Sequence, residues 1–105
     1  MVDRQNILGG KITYDDFKID LSIPLSEQVF KLQEDLLQIT YGEHYLVDVG
    51  WHPMLEPNGF LLIQVIKDYD WENPLFKRKI EAEDIRQFPS YLNEAIQLAD
   101  RLNLK

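Results

Sequence analysis

The sequence predicts an α+β domain: a four-stranded, mixed and mainly antiparallel sheet with two helices packed on one face, in the order βαβββα. Three observations point there. Residues 44–52 (HYLVDVGWH) and 60–68 (FLLIQVIKD) are rich in β-branched and aromatic side chains, and they flank a Pro/Asn/Gly cluster at 53–59, the signature of a hairpin. Residues 26–41 and 89–102 place apolar residues at steps of three and four, the spacing of one helical face. Residues 15–23 alternate Phe17, Ile19, Leu21 and Ile23 with Lys18, Asp20 and Ser22, the period of a half-buried strand.

Taken in order, residues 1–10 carry few apolar side chains and end in Gly-Gly, so they read as a mobile tail on a single domain spanning 1–105. Pro24 ends the first strand. Ser26 then serves as N-cap for a helix running to Tyr41, with Val29, Leu32, Leu36 and Ile39 inward, Phe30 and Leu37 widening the stripe, and Gly42 as its exit. The short connection after that helix would make the next strand parallel to the first, through a right-handed crossover.

The hairpin's register follows from its polarity. With residues 53–59 as the loop, His52 pairs with Phe60, Trp51 with Leu61, Val49 with Ile63 and Val47 with Val65, while Asp48 meets Gln64 and His44 meets Asp68 on the reverse face. A two-residue turn at Asn58-Gly59 would instead set Val49 against Asp68 and Val47 against Asp70. Burying those carboxylates is costly enough to exclude it. Tyr45, Val47, Val49 and Trp51 therefore form the core face.

Residues 75–81 read as the next strand, with Phe76 and Ile80 inward; Lys77, Arg78 and Lys79 cannot share one face and protect an edge rather than bind an anion. Residues 83–88 make a short turn before the last helix, because Pro89 is tolerated only in a helix's first turn.

Composition narrows the function. With 45% hydrophobic residues, the chain lies on the folded side of the disorder boundary, and its net charge of −7 argues against binding a phosphate backbone. The chain has no cysteine, which removes disulfides and thiolate metal sites; together with the lack of an apolar leader or membrane-length run, it fits a cytoplasmic protein with no membrane partner. No nucleotide or hydrolase motif occurs, and no nucleophile has a visible base, so neither enzyme activity nor a cofactor is expected. His44, Asp48 and His52 share a strand face, but residues four apart on a strand lie roughly 13 Å apart, whereas zinc needs its ligands within about 2 Å of one ion.

What the sequence offers is a surface. On the helix-free face, Leu46, Phe60, Leu62 and Ile66 cluster beside Asp48 and Gln64, an apolar patch that calls for a cover. Beyond the hairpin, Tyr69 and Trp71 sit among Asp68, Asp70 and Glu72, aromatic anchors in a field that steers basic partners. These eight residues, Leu46, Asp48, Phe60, Leu62, Gln64, Ile66, Tyr69 and Trp71, are the expected partner-binding set. The expected function is a noncatalytic, acidic interaction domain, such as an inhibitor or immunity-type protein holding a basic partner. Two alternatives stay open: a homo-oligomer packed sheet to sheet, and a small-ligand or enzymatic domain with a pocket near Trp51, His52 and Phe60.

Overall fold

The computed structural model describes residues 6–105. Five strands form one sheet, β1 (Lys11–Asp15), β2 (Leu37–Tyr41), β3 (Tyr45–His52), β4 (Phe60–Lys67) and β5 (Phe76–Glu81), in sequential order with every neighbouring pair antiparallel. A 3₁₀ turn at Ala82–Gln87 leads into α1 (Phe88–Asn103), the single α-helix among the described residues. The class remains α+β, but the expected four strands and two helices are corrected to five and one. The parallel crossover goes with them.

The difference lies in residues 15–41. The expected helix over 26–41 breaks into two short 3₁₀ turns, Leu25–Glu27 and Val29–Lys31, followed by β2. Leu36 and Ile39 satisfy helical spacing, yet Leu37, Ile39 and Tyr41 also alternate with Gln38 and Thr40. In β2 the first three are fully buried and the other two half-buried. Pairing on both edges, with β1 and β3, supplies a ladder of hydrogen bonds that decides between the two periods. Gly42, at φ +64°, opens the β2–β3 hairpin instead of ending a helix.

The strand expected over 15–23 is likewise displaced upstream to β1. Phe17 and Ile19 do point inward, and Phe17 stacks on Phe88 at 4.7 Å between ring centroids. The backbone here finds its partners in a side chain. Gln28, buried, donates from Nε2 to the carbonyls of Asp20 (2.8 Å) and Ile23 (3.2 Å) and accepts from the Asp20 N–H at 2.8 Å. One amide thus replaces a neighbouring strand for this excursion.

The central hairpin has the expected register at every pair from Leu46–Ile66 to His52–Phe60, and the loop runs over 53–59 with a cis His52–Pro53 bond. Val47, Val49, Trp51, Leu61, Ile63 and Val65 are fully buried beneath α1, whose inner stripe is Phe88, Leu92, Ala95, Ile96 and Ala99. Of the expected tail, residues 1–5 lie outside the described residues. Ile7 is buried; its carbonyl accepts the Tyr41 hydroxyl at 2.9 Å, and the Gly9 N–H donates to Asp100 at 3.0 Å.

Candidate functional site

The helix-free face carries Lys11, Thr40, Leu46 and Ile66 in one row and Tyr14, Gln38, Asp48, Gln64 and Lys77 in the next, then Leu62 beside Lys79 and His52 beside Phe60. The expected apolar patch is smaller than its sequence suggests. Leu46 is 7% exposed and Ile66 0%, so neither is available to a partner, while Phe60, Leu62 and Gln64 are half-buried. Lys79 lies over the Phe60 ring at 4.7 Å from its centroid, and Lys77 flanks Gln64. What remains open on this face is bordered by Lys77 and Lys79 beside Gln64 and Leu62 and by Glu81 opposite Phe60, a mixed rim with no excess of acid to attract a basic partner.

Asp48 is also buried, with its carboxylate accepting from Gln38 Nε2 at 3.0 Å. Burial pushes its pKa up from the ordinary 3.8; the Gln38 hydrogen bond opposes this, Asp35 reinforces it and His52 opposes it. A folded-state pKa above the unfolded one means that ionised Asp48 weakens the fold at neutral pH. That cost is relieved as pH falls through the raised value toward 3.8. Asp48→Asn is therefore expected to raise the urea midpoint at neutral pH, with the gain shrinking on acidification and gone below the ordinary aspartate value. A variant less stable than the parent at neutral pH would contradict this.

The acidic-aromatic loop between β4 and β5 is exposed. Asp68 (φ +52°) and Tyr69 (φ +58°) both occupy the left-handed region, in a turn closed by Asp70 N–H to the Lys67 carbonyl at 3.0 Å. Positive φ at both central positions is the hairpin geometry usually filled by Asn-Gly. Two contacts hold the turn to the β2–β3 loop: His44 Nδ1 meets Asp68 Oδ1 at 2.6 Å, and the Asp68 N–H donates to the His44 carbonyl at 2.7 Å. Asn73 Nδ2 grips the Asp70 carboxylate at 3.1 and 3.3 Å. Tyr69 is 72% exposed and Trp71 stands open beside it, so neither closes the end of the core.

The chain matches no family model, no curated protein and no solved structure. Among the described residues, no group of three or more His, Asp or Glu is placed to hold a metal ion, and no helix is long and apolar enough to cross a membrane.

A second acidic-aromatic surface lies at the other end of the β3–β4 hairpin. Tyr14, Asp16, Phe30, Gln33, Glu34, Asp35 and Met54 line a cleft of about 270 Å³. Phe30 is 86% exposed. The helical spacing assigned its ring to an inner stripe, and without that helix nothing draws it inward. The available signals were the acidic pairs Asp15-Asp16 and Glu34-Asp35 and the apolar Met54-Leu55 set between two prolines.

Proposed function

We propose that this chain is a noncatalytic binding protein that holds a basic protein partner, in the manner of an inhibitor or immunity protein. The Tyr69 turn is the observation that supports this most. A left-handed backbone costs a residue with a side chain roughly 1–2 kcal/mol, and Tyr69 recovers little of that through burial. Contacts through His44 and Asn73 hold the turn in place, so little ordering is left to do on binding. Asp68, Asp70 and Glu72 surround the two aromatics and add to a net charge of −7, which speeds encounter with a cationic surface.

The test is retention of a basic protein from the native host on the immobilised chain, followed by kinetics with the purified partner. Tyr69→Gly and Trp71→Ala are each expected to weaken the complex about 30-fold, as interface anchors do, and the association rate should fall as salt rises. Tyr69→Gly should at the same time leave the fold as stable or about 1 kcal/mol more stable, because glycine adopts the turn without strain. Full retention by both variants, or loss only in Leu62→Glu, would remove the loop from the site. Capture of nothing but a second copy of the chain would replace the reading with self-association.

A further inference from the structure

We propose that the cleft lined by Tyr14, Phe30 and Met54 receives an arginine side chain, with flanking apolar residues, from an extended segment of a partner protein. The inference shares the binding-protein reading above but concerns a separate surface, since residues 53–59 and residues 68–75 leave opposite ends of the β3–β4 hairpin.

Charge selects the occupant. Asp16, Glu34 and Asp35 all line the cleft, which excludes anions. Only Asp16 has an ion-pair partner among the described residues, Lys18 at 3.6 Å, and Lys18 is itself well exposed. The lining includes the aromatic residues Tyr14 and Phe30 as well as carboxylates, the combination suited to a guanidinium, which can stack on a ring and pair bidentately with a carboxylate. Size permits it: at about 270 Å³ the cleft lies at the lower edge of the roughly 300–1,000 Å³ of small-molecule sites and admits one long side chain. The exposed apolar surface of Phe30, Met54 and Tyr14 then accounts for the neighbours such a segment would bring.

The backbone beneath Phe30, Gln33 and Met54 is tied in place before any ligand arrives. The Trp51 N–H donates to the Gln33 carbonyl at 2.8 Å, and Gln33 Nε2 donates to the Phe30 carbonyl at 2.8 Å, which holds residues 30–33. The Leu55 N–H donates to the Leu32 carbonyl at 2.7 Å, and Trp51 Nε1 donates to the Glu56 carbonyl at 2.7 Å, which holds the 53–59 loop against them. A preformed cleft spends less of its binding energy on ordering.

Methionine labelling makes the test direct, because the chain contains only Met1 and Met54. The full chain, carrying 13C-methyl methionine, is titrated with a capped Gly-Leu-Arg-Leu-Gly peptide, its citrulline analogue and its glutamate analogue. The Met54 methyl signal should shift saturably with the arginine peptide, about tenfold more weakly with citrulline, and not with glutamate. Glu34→Gln and Asp35→Asn, at exposed positions, should each weaken the arginine peptide about threefold, and Phe30→Ala by a similar factor. Tyr69→Gly should change nothing, so failure of the loop and failure of the cleft are told apart. A Met54 signal that never moves, equal response to citrulline, or indifference to all three cleft variants would overturn the proposal.

Discussion

Gly50→Ala is expected to destabilise the fold by about 3 kcal/mol or more, at the upper end of what overpacking costs. A Cβ at Gly50 would stand 1.8 Å from the Glu34 carbonyl oxygen and 2.9 Å from its carbon. These are backbone atoms, and the segment carrying them is tied down on both sides, by Trp51 N–H to Gln33 and by Leu36 N–H to the Val49 carbonyl at 3.0 Å. It cannot step aside without breaking those bonds. An unobstructed glycine in a strand would behave oppositely, gaining about 0.5–1 kcal/mol when replaced by alanine. The two expectations differ in sign, so a urea midpoint at or above that of the parent would settle the matter against a close approach. Because Glu34 forms the cleft wall, the variant should also weaken the response of Met54 to the arginine peptide.

Trp51→Ala is the second large effect, expected to cost about 3–5 kcal/mol, the usual range for emptying an aromatic core site. Trp51 is the largest fully buried side chain, and the domain's whole stability is on the order of 5–15 kcal/mol. Trp51→Phe separates its two roles. It keeps most of the volume but loses the indole bond to the Glu56 carbonyl, which is worth about 1 kcal/mol. Thermal melts should show a modest loss, while hydrogen exchange at the Leu55 amide quickens and the strands stay protected. If the loop amides exchange as in the parent, the indole bond does not hold the 53–59 loop.

The two candidate surfaces are unequally legible in the sequence. Tyr69 and Trp71 stand out in the sequence as aromatics amid carboxylates, but they also continue the odd-numbered core series of the preceding strand, and only their exposure in the folded chain excludes a role in closing the core. The helix-free strand face predicts that Leu46 and Ile66 are exposed, but burial of an outward residue depends on what the rest of the chain lays beside it, and both are buried. Phe30 failed in the reverse direction. Its place in an apolar stripe depends on a helix that never forms, and Leu32 and Gln33 instead follow a 3₁₀ turn into the edge of β3.

Alternation along 44–68 determined the register of the central hairpin, the face that α1 covers and the length of its loop, because side-chain direction in a strand is a local property that a one-residue slip would invert. The helical spacing after Pro89 determined α1 for the same reason. The course of residues 16–36 was decided by tertiary structure: a buried Gln28 serving three backbone groups, Phe17 against Phe88, and a glycine that admits the Glu34 backbone. The last two join residues far apart in sequence, and together with the Gln28 bonds their stabilisation outweighs the weak local preference for a helix over 26–41. Glu34, placed by that glycine, lines the acidic cleft.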